Sequence, residues 1–361
     1  MSCTSPLYRV PQGSNVWKQL NFDDRVRVKN GGVFLSYELL EFYKRKVLDF
    51  DVDGVQIIPC GQCTSCRLAY SRDWAIRCSL EASMHEHNYF LTLTYDDYHI
   101  PRGEFVDYSG EIWDSNLCRR DVQLFMKQLR EYERTVYGNT GVKVFYCGEY
   151  GGSTGRPHYH LCLFGVSEIP DLVKSFKRGQ FQYYKSSTYE GFWSVRVSGV
   201  QVLRGFVDIS EVSFDSIAYT ARYVMKKQQG KMKKDFLESY ELLDPELRPD
   251  LRLQPFIGMS LKPGIASEYY EQNKLQIREE DLVKYQKKFK LFMAKPPRYF
   301  DRLFDREDHS GYLKLKRKRS SLGIAGRKLK RTLFSEGYKD RLERDADIMK
   351  MKEERYYVRR L

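Results

Sequence analysis

The 361-residue chain has no run of 18 or more apolar residues, so no membrane-spanning helix is predicted. Its first residues, MSCTSPLYRVPQGSN, lack the apolar stretch of a secretory signal, which places the expected site of action in a cytoplasm. There is no GxxxxGK[ST] loop and no internal repeat, so ATP hydrolysis is not supported. Only 12 prolines beside 14% aromatic residues exclude a collagen-like or wholly disordered chain. Eight cysteines are too few for a disulfide scaffold, and three of them crowd into residues 60–66, which points to metal binding or a reducing compartment. Acidic residues are also in deficit, 48 against 61 Lys and Arg, leaving a net charge of +13. Together with 27 tyrosines this is the footprint of a protein whose partner is a polyanion, either nucleic acid or an anionic membrane face. A basic globular enzyme is the plainer alternative.

The length corresponds to about two domains of roughly 150 residues each. Residues 1–58 mix Gly, Asn and Asp with short apolar pieces and read as an N-terminal extension without chemistry of its own. Residues 59–88 carry the cysteine cluster and a helix. From 89 to 250 the pattern alternates strands and helices. The stretch YFLTLTY at 89–95 places Leu91 and Leu93 on one face and Phe90, Thr92 and Thr94 on the other. In RRDVQLFMKQLREY at 119–132, Val122, Phe125, Met126 and Leu129 form the apolar stripe of a core-docking helix. VKVFYCGE at 142–149 and HYHLCLF at 158–164 flank a glycine-rich turn and predict a β-hairpin. The fold class expected is α+β, an antiparallel sheet with packed helices. Residues 251–361 read as a basic, mainly helical region, and KLKRKRSSLGIAGRKLKR at 314–331 has nine basic residues and no acidic one. That tract is either a phosphate or membrane-surface contact or a solvated tail.

Three constellations can do chemistry. His158 and His160, at i and i+2, project from the same face of a strand while Tyr159 points to the other, and Glu149 on the preceding strand can come level with them. Such a set binds a divalent cation with positions left open; its alternative is a solvent-facing histidine pair. On FDSIAYTARYVMKKQ at 214–228, Tyr219 and Tyr223 are neighbours at i and i+4. A helical projection puts them beside Arg222, Lys226 and Lys227, on a wet, basic face opposite Ile217, Ala221, Val224 and Met225. Tyrosines beside cations suit attack on phosphate, with base stacking or partial packing as rivals. Finally, Cys60, Cys63 and Cys66 have zinc-ligand spacing. Cys78 is the expected fourth ligand, with His85 and His87 as competitors and merely buried thiols as the alternative.

The strand FLTLTY, a later His-x-His and a downstream Tyr-x3-Tyr resemble the three ordered motifs of the HUH single-strand endonucleases. More narrowly, CGQCTSCRLAYSRDWAIRC, FLTLTYDD, CGEYGGSTGRPHYHLCLFG, YTARYVMKK and SLKPGIASEYY resemble the replication initiators of the Microviridae, small single-stranded DNA phages, closest to the gokushovirus branch. The resemblance implies an HUH-like catalytic domain at 89–250, with the cysteine segment as a Cys-rich insert outside the general pattern. It implies that His158 and His160 hold Mg2+ or Mn2+ with Glu149 as a third ligand, and that Tyr219 and Tyr223 are the nucleophiles. The implied activity is site-specific nicking and joining of single-stranded DNA at a phage origin through a 5′-phosphotyrosine, in the host bacterial cytoplasm, alongside host DNA polymerase and helicase and without a membrane. Arg156, Arg222, Lys226 and Lys227 are the expected phosphate contacts. The competing readings are a zinc-stabilised, non-catalytic single-strand binding or packaging protein, and a plasmid relaxase or transposase of the same chemistry.

Overall fold

A computed structural model describes residues 6–26, 28–29, 31–46, 55–152, 154–179, 181–223, 231–242, 244, 249–287 and 290–322. The chain divides into two compact units, residues 1–70 with 309–361, and residues 71–308. The fold is mixed α+β, and its largest sheet is antiparallel throughout.

Seven strands build that sheet: β1 (Asn88–Thr94), β2 (Lys143–Tyr150), β3 (Pro157–Phe164), β4 (Val173–Arg178), β5 (Phe181–Lys185), β6 (Val207–Glu211) and β7 (Phe256–Met259). Their spatial order is β7-β2-β3-β1-β6-β5-β4. Because side chains alternate along a strand, the central strands sort their residues onto two faces. Leu91, Leu93, Val144, Tyr159, Leu161, Leu163, Val207 and Ile209 share one core, which is covered by helix α2 (Arg119–Tyr137). Val122, Phe125, Met126 and Leu129 of α2 are buried there, at about 1.5–3 kcal/mol for each side chain removed from water. The helix stops at Gly138, whose φ of +68° supplies the left-handed cap that a residue with a Cβ resists.

The opposite face carries Phe90, Phe145, Cys162 and Phe164. Against it pack Trp74, Ala75 and Cys78 from helix α1 (Thr64–Ala82), and Ile217 and Ala221 from helix α3 (Phe214–Arg222). The start of α3 is set by a reciprocal cap in which Ser213 Oγ accepts the Ser216 amide at 3.1 Å and Ser216 Oγ accepts the Ser213 amide at 2.9 Å. One buried ion pair fastens α1 to β2, with Lys143 Nζ 2.9 Å from Glu81 Oε1 and both side chains almost inaccessible. Glu81 also accepts the Ala266 amide at 2.5 Å and meets His85 Nε2 at 2.7 Å.

Several sequence expectations change. Residues 1–58 are more than an extension. Leu7–Pro11 pairs with both Gly32–Leu35 and Gln56–Ile58, and Tyr8, Val10, Val33, Leu35, Leu40 and Tyr43 close a small core of their own. The cysteine cluster belongs to this first unit, whereas the strands of the large sheet belong to the second. The division expected at 251 does not coincide with a unit boundary, because β7 completes the edge of the large sheet beside β2 and the second unit runs to Asp308. Beyond β7 follow the helices Ser267–Glu280, Arg298–Glu307 and His309–Leu322, with a hairpin of Val283–Lys287 and Lys290–Ala294 between the first two. Half of the basic tract at 314–331, from residue 323 on, lies outside the described residues. Among the described residues no helix is long and apolar enough to cross a membrane.

Candidate active site

Strands β2 and β3 pair antiparallel with Glu149 directly opposite His158 and Cys147 opposite His160. Hairpin register thus brings the carboxylate level with both imidazoles, and residue parity sends all three to the face that α3 covers. Glu149 Oε1 lies 3.1 Å from His158 Nε2 and 3.0 Å from His160 Nε2. Glu149 and His160 are buried, while His158 stays partly open. The three ligand atoms fall within 4.8 Å of one another, a separation that one ion can bridge.

The far ring nitrogens are held as well. His158 Nδ1 is 3.2 Å from the Arg156 carbonyl oxygen, and His160 Nδ1 is 3.1 Å from Thr92 Oγ1, on the neighbouring strand. A carbonyl only accepts, so His158 presents an N–H at Nδ1 to the Arg156 carbonyl. Between His158 Nε2 and Glu149 Oε1, 3.1 Å apart, lies either a proton that hydrogen-bonds the carboxylate or a cation that takes its place. The donor set, two imidazoles and one carboxylate with their outer nitrogens secured, fits a divalent cation with open positions. Burial pushes the Glu149 carboxyl up, but hydrogen bonds from His158 and His160 outweigh it and hold the group well below the usual carboxylate range.

Both tyrosines face this cluster. Tyr219 donates its hydroxyl to Glu149 Oε1 at 3.1 Å, and its ring centroid is 5.1 Å from that of His160. The Tyr223 ring stacks on His160 at 6.2 Å and meets Tyr219 edge-on at 5.1 Å. The projection that set them on a wet, basic face is therefore corrected. Tyr223 is 6% exposed and Tyr219 is half-buried, because the polar side of α3 is turned toward the polar patch of the sheet. A second contact fixes the docking, with Thr220 Oγ1 3.7 Å from Cys162 Sγ in the buried helix–strand seam. Burial, then the negative charge of Glu149, pushes both phenols far above their ordinary value of 10.0.

Of the expected phosphate contacts, Arg222 places its guanidinium 5.8 Å from the centre of the Tyr219 ring and donates to the Ala218 carbonyl. Arg156 is committed to Asp97 at 2.5 Å and to the Tyr95 carbonyl at 3.0 Å. Lys226 and Lys227, together with Val224 and Met225, lie outside the described residues. Sequence reasoning missed Thr92 as the partner of His160, although its face was legible in the alternation of FLTLTY. It also missed the hairpin of β4 and β5, where all six residues of β4 are exposed and Phe176 stacks on Tyr183 at 4.6 Å. Its signal was VKSFKRGQFQYYK, rich in cations and rings.

The cysteines behave differently from expectation. Cys60, Cys63 and Cys66 present sulfur atoms within 4.8 Å of one another, but Cys78 does not join them. It lies twelve residues beyond Cys66 on the same helix, about 18 Å along the axis at about 1.5 Å per residue. There it is fully buried against the sheet, and burial pushes its thiol well up. His85 is occupied by Glu81.

Residues 88–228 match the family model of the ORF2-type replication-associated proteins. The chain is 34% identical over 286 residues to the replication-associated protein ORF2 of Spiroplasma virus 4, covering 77% of this chain and 75% of that protein. It is 31% identical over 189 residues to the replication-associated protein ORF4 of Chlamydia phage 1, covering 49% of this chain and 42% of the relative. Against the replication-associated protein VP4 of Bdellovibrio phage phiMH2K it is 32% identical over 176 residues, 47% of this chain and 48% of the relative. No solved structure matches the chain. The matched segment at 88–228 contains the imidazole pair, the carboxylate and both tyrosines, and the chain belongs to the replication-associated proteins of the Microviridae, with a role in phage replication.

Proposed function

We propose that the protein is an HUH-type, metal-dependent endonuclease and strand transferase that opens and recloses single-stranded DNA at its phage origin through a 5′-phosphotyrosine. The observation that carries this reading is the convergence of two phenols and a His, His, Glu donor set on one buried polar patch, with Tyr219 hydrogen-bonded to the same carboxylate oxygen that both imidazoles approach. Mg2+ or Mn2+ bound by Glu149, His158 and His160 would supply positive charge to polarise a phosphate oxygen and to favour the phenolate over the phenol.

The protein's own residues do the rest. Thr92 and the Arg156 carbonyl hold the imidazoles in one orientation, so the site needs little rearrangement when the strand arrives. One phenol gives up its proton as its oxygen attacks phosphorus, the bond to the 3′ oxygen breaks, and that oxygen takes up a proton and leaves as a hydroxyl able to prime synthesis. The 5′ phosphate stays on tyrosine, conserving the bond energy, which agrees with the lack of an ATP-binding loop. Tyr219 and Tyr223 both flank His160, so the second phenol can cleave the regenerated origin while the first is occupied, and the freed 3′ hydroxyl then rejoins the held 5′ end. Arg222 backs the first phenol. The β4–β5 hairpin, with Lys174, Lys177 and Arg178 exposed on the same strand as Phe176, would offer a track for the strand. Extension by host polymerase and unwinding by host helicase would follow from the free 3′ end.

The test is incubation of the protein and Mn2+ or Mg2+ with single-stranded fragments tiling the genome that encodes it. A denaturation-resistant protein–DNA adduct, absent after Tyr219→Phe/Tyr223→Phe, is expected. Tight binding with no adduct for any fragment would instead establish a non-catalytic single-strand binding protein.

A further inference from the structure

We propose that Phe206 is the stacking platform for the base beside the scissile phosphate, at the start of a patch of rings and cations that leads the single strand across the sheet. The inference rests on the nicking reading for its choice of ligand and names the place on the sheet where that ligand lies.

Strand register carries the argument. Glu149 stands opposite His158, and His158 stands opposite Thr94. The ladder between β1 and β6 continues one residue beyond Val207, because the Thr94 amide donates to the Phe206 carbonyl at 3.0 Å and the Phe206 amide donates to the Thr94 carbonyl at 3.2 Å. Glu149, His158, Thr94 and Phe206 therefore form one row across the sheet, and side chains of one row share a face. Thr94 is the residue of that row between His158 and Phe206. Its side chain is short, and its hydroxyl donates to the Phe206 carbonyl at 3.4 Å. Two strand spacings of about 4.8 Å put the Phe206 backbone about 10 Å from that of His158, within reach of a base whose phosphate sits at the histidine cluster.

The ring is open to a ligand. Val207 and Ile209, which point to the other face, are fully buried in the core, whereas Phe206 is 60% exposed. A single exposed apolar residue is common and by itself says little. This one belongs to a patch whose other members suit a single strand. Lys185 Nζ lies 5.5 Å from the centre of the Phe206 ring and is held there by Asp208 at 2.9 Å and Glu190 at 3.9 Å. Tyr184 packs against the core, so its neighbours Lys185 and Tyr183 take the Phe206 side. Tyr183 stacks on the exposed Phe176 at 4.6 Å, on the strand that also exposes Lys174, Lys177 and Arg178. Rings accept the flat face of any base, and cations offset phosphate charge. A duplex keeps its bases stacked on one another, so a surface that offers rings beside cations matches a single strand.

The experiment uses the full-length protein with Mg2+ and single-stranded fragments tiling the genome that encodes it, the tightest-binding fragment serving as the probe. Phe206→Ala should weaken binding by about 5- to 150-fold, with melting unchanged because the ring is exposed. Phe206→Trp should retain the affinity and Phe206→Leu should not, since leucine keeps apolar surface but cannot stack. An abasic scan of the fragment should find one position where loss of the base weakens wild-type binding as much as Phe206→Ala does and weakens binding by Phe206→Ala no further. Wild-type affinity in Phe206→Ala or in Phe206→Leu, or additive losses at every abasic position, would overturn the platform. The two readings fail separately. A covalent adduct with binding indifferent to Phe206 removes this inference alone, and Phe206-dependent binding without an adduct removes the nicking reading alone, leaving the platform as a single-strand binding surface.

Discussion

The two donor clusters of this protein are built on opposite plans. The histidine cluster stands on adjacent strands of the large sheet, where ladder register sets Glu149 against His158 and leaves the carboxylate almost inaccessible beneath α3. The cysteine cluster stands on a turn, half-exposed, with its geometry set by one left-handed glycine and two amide–sulfur hydrogen bonds. A site that must leave positions open for a substrate needs walls that do not move, and the sheet provides them before any ion binds. A site whose ligands surround the ion can sit on a turn, because the ion itself supplies the order. A metal bound at the first cluster is therefore expected to leave without loss of the fold, and one bound at the second is not.

The largest expected effect tests the first half of that contrast. Tyr219→Phe/Tyr223→Phe should abolish the covalent adduct completely while circular dichroism and melting stay close to wild type; a residual adduct would mean that another nucleophile is used. A smaller loss is expected from Thr92→Val, which removes the hydroxyl beside His160 and leaves the ring in place. Cation affinity measured by titration, or the nicking rate, should fall by about 10- to 100-fold. No change would show that packing against Phe90, stacked on His160 at 5.5 Å, orients the ring by itself.

Hydrogen exchange probes the second half. If zinc is bound at the cysteine cluster, as the spacing predicts, removing it with a chelator should speed exchange in Leu7–Pro11 and Gln56–Ile58 and leave β2 and β3 protected. Equal loosening in both units would dissolve the distinction between them. The last effect, full at neutral pH and shrinking in acid, concerns the ion pair that fastens α1 to β2. Burial raises the Glu81 carboxyl, but His85, Lys143 and the Ala266 amide together hold it below its ordinary 4.5. A carboxyl depressed by folding stabilises the folded state fully above 4.5 and loses that contribution as the pH falls toward its folded value. Glu81→Gln should cost about 3–5 kcal/mol at pH 7, since Lys143 is left buried, and the gap to wild type should narrow in acid. A gap that stays constant with pH would assign the cost to packing.

The legibility of the two clusters also differed. Alternation in FLTLTY and HYHLCLF was enough to predict that Tyr159 and the histidines diverge, and Tyr159 does lie in the opposite core, donating its hydroxyl to the Cys118 carbonyl at 3.0 Å. The position of Tyr219 and Tyr223 was misread because a helical projection separates apolar from polar residues but does not say what the polar side faces. Here it faces Glu149 and His160, so the phenols are buried among polar groups. Cys78 was misassigned for a related reason: spacing in sequence counts residues, and a continuous helix converts twelve of them into distance rather than proximity. Residues 1–58 were undervalued because Leu7–Pro11, Gly32–Leu35 and Gln56–Ile58 are short strands that become a sheet only when brought together.

The sequence by itself determined the kind of protein: the basic balance, the ordered motifs and the identities of the reactive groups, since these are matters of residue type and local period. Only the tertiary structure decided which groups meet. It placed a carboxylate 3.0 and 3.1 Å from two imidazoles, turned two phenols inward, and moved Cys78 from a metal to a core. Those outcomes depend on strand register and helix docking, which are set by the burial of side chains far apart in the chain and are invisible to any window of neighbouring residues.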